Sequence, residues 1–100
     1  MLTIHFQALN FKANVKLKEY AKKRIQKLLL FNKQIIEVFI FTKLENNSDR
    51  NNKWAEIKIE IPGHDIIVKK ISKSFEESIN KVAESAERIL KRRREKERVI

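Results

Sequence analysis

The chain has 100 residues, a hydrophobic fraction of 42%, one glycine, one proline and no cysteine. That length gives one domain around one core, the scarcity of Gly and Pro excludes a linker-like or disordered chain, and the lack of cysteine excludes disulfides and thiolate metal sites. Its 23 lysines and arginines against 13 acids leave a net charge of +10, which points to an anionic partner.

Leu2, Ile4, Phe6 and Ala8 alternate with Thr3, His5 and Gln7, the pattern of a strand with one buried face. This start lacks the positive segment of an export signal. The longest apolar runs, 28–31 and 38–41, fall far short of the roughly 20 residues of a membrane span. A cytoplasmic location without membrane contact is therefore expected. Asn14 is placed to cap a helix from Val15. Leu17, Tyr20, Ala21, Ile25, Leu28 and Leu29 recur there mostly at three- and four-residue steps, and Lys16, Lys18, Lys22, Lys23 and Lys27 occupy much of the rest.

The stretch IIEVFIFTKLE, 35–45, is rich in β-branched and aromatic residues and predicts a strand. If Val38 and Ile40 face the helices, Phe39 and Phe41 face water. NNSDRNNK, 46–53, is a polar loop; WAEIKIEI, 54–61, alternates again; Pro62-Gly63 is a turn signal; HDIIVKKI, 64–71, returns as the antiparallel partner. Ser74 and Glu77 have capping-box spacing ahead of a stripe formed by Phe75, Ile79, Val82, Ala83, Ala86, Ile89 and Leu90. No helix breaker follows, so the closing ERILKRRREKERVI continues this helix, its last two turns projecting beyond the core. The order β-α-β-β-β-α predicts an α+β two-layer sandwich, a four-stranded sheet with two helices on one face. Residues 1–100 form a single domain in which 91–100 are a basic extension of the second helix.

Charge is unevenly spread. Residues 12–33 hold eight cations and one acid, 34–67 four and six, 68–90 five and four, and 91–98 six and two. One basic block is explained by solubility and by the preference of cations for a helix's last turn. Two blocks on helices sharing one face can merge, so that Lys22, Lys23, Arg24 and Lys27 join Arg88, Lys91, Arg92 and Lys96. Like charges gathered this way repel unless an anion is present. Arg92, Arg93 and Arg94 span less than one turn and radiate around the helix, and a guanidinium grips phosphate with two parallel hydrogen bonds. Phosphate of a nucleic acid is the ligand this pattern favours.

Other chemistry has little support. His5 and His64 lack metal-ligand spacing, His64-Asp65 fits a turn, and no Gly-rich phosphate loop exists. No enzyme activity, cofactor, metal or small-molecule substrate is expected. The sequon Asn46-Asn47-Ser48 has no meaning without export. The aromatics mostly fall in core stripes, and neither an RNP1-type pattern nor a GXXG loop is present. Two alternatives stay open: a generic double-stranded RNA-binding module, and a protein-interaction module whose charge only solubilises it.

The stretches LKEYAKKRIQKLLLF followed by IIEVFIFTKLE, then AEIKIEIPGHDIIVKK, then SFEESINKVAESAERILKRRREK together resemble the short ribosome hibernation promoting factors and ribosome-associated inhibitors of bacteria. The resemblance spans nearly the whole chain and includes Lys27-Leu28, Ile79, Arg88 and Leu90. It departs at Ser74-Phe75-Glu76-Glu77-Ser78-Ile79, where the family usually has an Asp-Met-Tyr-x-Ala-Ile-like run. Contacts made by that tyrosine are not expected here, nor is the C-terminal dimerisation domain of the family's long form. The resemblance implies the same β-α-β-β-β-α fold. It implies binding in the cleft of the small ribosomal subunit, where messenger and tRNAs lie, and silencing of idle ribosomes in stationary phase or stress. The partner would be the small subunit and its 16S rRNA, with a monomer off the ribosome. By position the contacts would come from Lys22, Lys23, Arg24 and Lys27, and from Arg88, Lys91, Arg92 and the nearby Arg93, Arg94 and Lys96. Such binding is steric and electrostatic, falls steeply with salt and needs little base readout.

Overall fold

The computed structural model describes residues 3–45 and 50–98, with side chains through Arg93. Side chains alternate along a strand, so four strands that each carry one apolar face gather around a common core. β1 (Thr3–Leu9), β2 (Glu37–Leu44), β3 (Lys53–Ile61) and β4 (His64–Ser72) form one sheet in the order β1-β2-β3-β4. β1 runs parallel to β2, so the chain crosses back between them through α1 (Val15–Gln26). β2, β3 and β4 form an antiparallel meander, and α2 (Phe75–Arg98) follows. The expected α+β order is the observed one.

Val38 and Ile40, Ala55, Ile57, Ile59 and Ile61, and Ile66 and Val68 face the same side of the sheet and are buried. They pack against Leu17, Ala21 and Ile25 of α1 and against Ile79, Val82, Ala83, Ala86 and Leu90 of α2. Both helices therefore cover one face and leave the other open, the face that carries Phe39 and Phe41. At the far end of the sheet, Phe11 stacks on Phe75 with centroids 4.2 Å apart. This contact fixes the segment leading into α1 against the first turn of α2.

Local signals act at the expected places. The Asn14 side chain accepts from the Leu17 N–H at 2.8 Å, and Ser74 Oγ accepts from the Glu77 N–H at 3.1 Å. The Glu77 carboxylate turns to Lys81 at 3.1 Å. Ile61 pairs with His64, so Pro62 and Gly63 alone make the hairpin loop. Proline holds φ negative at the first position and Gly63 takes φ 98° at the second, the requirement of a type II turn.

Three boundaries differ from the sequence pattern. β2 begins at Glu37 and not at Ile35: Ile35 sinks into the core, while the Ile36 N–H donates to the Glu60 carbonyl at 2.8 Å. α1 ends at Gln26, and its stripe continues through a tighter 3-10 turn, Lys27–Leu30. That turn seats Leu28 in the core and leaves Leu30 exposed. β4 gains Ser72, whose buried hydroxyl lies 2.6 Å from that of Ser78. Leu2 and the sequon Asn46-Asn47-Ser48 lie outside the described residues.

Candidate nucleic-acid interface

Three contacts set the helix pair. The Tyr20 hydroxyl donates to the Glu76 carbonyl at 3.4 Å, Arg24 Nε donates to Asn80 Oδ1 at 2.9 Å, and Lys91 Nζ sits 4.9 Å from the centre of the Phe31 ring. Residue numbers rise together along both helices, so α1 and α2 run parallel and side by side. Their C-terminal ends lie at the same end of the molecule. Helix dipoles place partial negative charge there, which favours cations in both last turns.

The helical period decides which cations face water. With Leu17, Ala21, Ile25 and Leu28 inside, Lys22, Lys23 and Lys27 are exposed. On α2, Ala86 and Leu90 inside leave Arg88, Lys91 and Arg92 exposed. Arg24 is half-buried between the helices. Its Nε is engaged by Asn80, whose own amide donates to Glu84 at 3.1 Å. Arg88 is steadied by a bond from Nη2 to Ser85 Oγ at 3.1 Å, and Lys91 leans on Phe31. Arg93 departs from the expectation of cations radiating into solvent. It is half-buried, and its Nη1 is buried with no hydrogen-bond partner among the described residues. The backbones of Arg94 and Lys96 continue α2, but their side chains lie outside the described residues.

The helices carry acids of their own, Glu19 on α1 and Glu76, Glu77, Glu84 and Glu87 on α2, but the ion pairs concentrate elsewhere. Among the described residues, the ion pairs lie on the open sheet face, apart from Lys81–Glu77 on α2. They are Lys58–Glu60 and Lys58–Asp65, both at 3.7 Å, and Lys69–Glu56 at 3.8 Å, and His5 Nε2 lies 3.5 Å from the Glu37 carboxylate on the same face. None of them uses a cation of the two basic blocks. The middle of the chain, slightly acidic in sequence, thus supplies a nearly balanced sheet face, and the excess positive charge belongs to the helix side. Asp65 pairs with Lys58 at the open face, and His64 is exposed beside the turn. This arrangement gives no acid–base pair.

Ser85 acts locally, three residues before Arg88 on the same helix, whereas Asn80 and Phe31 position cations across the helix pair and no local pattern in the sequence marks them. Their role depends on which turn of α1 meets which turn of α2, and on where the 3-10 turn delivers Phe31. The arrangement can hold phosphates at several points of one surface. Among the described residues, no helix is long and apolar enough to cross a membrane.

Comparison with solved structures gives the same fold. A ribosomal subunit interface protein from Coxiella burnetii superposes with a TM-score of 0.81 at 14% identity, covering 92% of this chain and 97% of that one. The N-terminal domain of Protein Y from Thermus thermophilus superposes with a TM-score of 0.77 at 18% identity, covering 90% and 97%. No curated protein sequence matches the chain. The model of one sequence family, described as sigma 54 modulation protein / S30EA ribosomal protein, matches residues 4–98. With that match running through both helices and all four strands, the chain belongs to the sigma 54 modulation protein / S30EA ribosomal protein family.

Proposed function

We propose that the protein binds the small ribosomal subunit through its 16S rRNA, in the channel used by messenger and tRNA, and silences idle ribosomes in stationary phase or stress. The observation that carries this reading is the parallel pairing of α1 and α2. It sets the basic stretch of α1, with Lys22, Lys23, Arg24 and Lys27, beside α2, with Arg88, Lys91 and Arg92, while Glu56, Glu60 and Asp65 of the sheet are paired with Lys58 and Lys69. Arg93, Arg94 and Lys96, which follow on α2, are proposed as further contacts. The family is named in part for a ribosomal protein, and one structural neighbour is a ribosomal subunit interface protein, which supports a ribosomal source for the phosphates.

Binding of this kind needs no chemical step. Each phosphate neutralised by a lysine or arginine releases condensed counterions, so affinity falls as salt rises. Inhibition follows from occupancy of the channel. The test is sedimentation with purified ribosomes at low and high salt, together with in vitro translation. The protein should pellet with small subunits at low salt, be released at high salt and depress translation. K22Q/K23Q/K27Q and R88Q/R92Q should each lose binding and flatten the salt dependence by about one unit of slope per contact removed. Equal binding to a plain RNA duplex would favour a generic duplex reader instead. A protein left in the supernatant with translation undisturbed would refute the reading.

A further inference from the structure

We infer that the open sheet face is a second RNA site, one that takes unpaired bases by stacking them on Phe39, Phe41 and Trp54. This goes beyond the phosphate-binding role of the helix face and uses the opposite side of the molecule.

The geometry starts from strand alternation. Phe39 and Phe41 are two residues apart on β2, so both stand on the face opposite Val38 and Ile40. His5 lies across from Phe39 in the register. His5 and Phe39 form a row across β1 and β2, with centroids 4.7 Å apart at 13°, and Phe41 stands beside Phe39 along β2, with centroids 6.4 Å apart at 10°. A planar base can stack on the ring faces that this open side of the sheet presents. A cavity of about 320 Å³ opens beside His5, Gln7, Phe39 and Phe41. A second, of about 220 Å³, lies beside Trp54 and is lined also by Glu45, Lys69, Lys70 and Ile71.

Charge complements this row for a nucleotide strand. The acids Glu37, Glu60 and Asp65 align at one end of the face, where the register places them side by side. The other end carries Lys43 opposite Trp54, with Lys69 close by. Lys43 Nζ is 5.4 Å and Lys69 Nζ 5.9 Å from the indole centre, and Lys58 Nζ is 5.8 Å from that of Phe39. The Lys43 ammonium, resting on the indole, can move to a phosphate while a base takes its place on the same π-face; Lys69 and Lys58 would exchange their contacts to Glu56 at 3.8 Å and to Glu60 and Asp65 at 3.7 Å for a phosphate. Flanking lysines of this kind suit a strand that offers a base and a phosphate together, and an apolar protein surface would have no use for them.

Trp54 is the sole tryptophan and belongs to this face, so its emission reports the site directly. The full chain is titrated with a short single-stranded oligoadenylate, and in parallel arms with inorganic polyphosphate and with an RNA duplex of equal length. Oligoadenylate should quench Trp54 saturably, and polyphosphate should not reproduce the effect. F39L/F41L should bind about tenfold more weakly or worse, whereas the ring-retaining F41Y should bind as the parent does. If the leucine pair fails to fold, F41L alone carries the same comparison. K43Q/K69Q should weaken binding and reduce its salt dependence. K22Q/K23Q/K27Q should leave the quenching in place while losing ribosome sedimentation, so the two sites can fail separately. An unchanged Trp54 emission, equal quenching by polyphosphate, or full affinity in the folded leucine variant would each overturn the inference. Quenching by purified ribosomal proteins but not by oligoadenylate would assign the face to a protein and overturn it equally.

Discussion

Gly63 and Ser78 show two different reasons for a small side chain. Nothing lies within 4 Å of the position a Gly63 Cβ would take, yet its φ is 98°. Gly63→Ala therefore creates no clash and costs only backbone strain, about 1–2 kcal/mol. A urea melt should show a lower midpoint with an unchanged slope. Ser78 is the reverse case, fully buried with ordinary backbone. Its hydroxyl donates to the Lys53 carbonyl at 2.6 Å and lies against Ser72 Oγ. Ser78→Ala removes one small atom but strands buried polar groups, so a loss of about 1–3 kcal/mol is expected in the same melt. An alanine variant as stable as the parent would show that these groups find other partners. The turn glycine was legible in the sequence because Pro-Gly is a local signal. The serine was not, because its acceptor lies 25 residues away, on a strand whose register against the helix no local pattern records.

The helices and strands follow the same division. The start of α1 at Asn14, the stripes of both helices and the alternation of β3 could be read from spacing alone, because each is set by neighbours within a turn or a pleat. The tightening of α1 into a 3-10 turn at Lys27 was not legible, nor was the partnership of Arg24 with Asn80. Both depend on how the chain fits what it packs against. Arg24 Nε donates to Asn80, which leaves the two terminal nitrogens of the guanidinium to meet a phosphate. Asn80 is thus a positioning residue, and the two substitutions should differ in kind. Arg24→Gln should lower ribosome affinity and reduce the salt slope by about one. Asn80→Ala should lower affinity with the slope unchanged, because no cation is lost. Thermal melts of the single and double variants should be non-additive, as expected for groups in direct contact. An Asn80→Ala protein with full affinity would mean that Arg24 needs no orientation.

At the scale of the whole molecule, charge is sorted by face. On the sheet, Lys58 and Lys69 have acid partners on their own face, while the cations of the two basic blocks form none of the ion pairs among the described residues. The totals were visible in the sequence; the sorting required the sheet, which carries the acidic middle of the chain away from the helices. A surface kept ready for a polyanion is held against its own repulsion, so affinity and stability should trade against each other. Salt provides the measurement. The screening length is about 30 Å at 0.01 M and about 3 Å at 1 M, so repulsion across the helix pair is strong in the first condition and nearly absent in the second. The parent protein should melt at a lower temperature in dilute buffer and gain stability as salt is added. K22Q/K23Q/K27Q should melt higher than the parent in dilute buffer, and the difference should shrink toward zero at high salt. Lys58→Gln, which removes a cation bridging Glu60 and Asp65 at 3.7 Å, should show no such gain. If neutralising the helix lysines lowers the melting temperature in dilute buffer, those lysines have anionic partners within their own chain, and the helix face is not held open for phosphate.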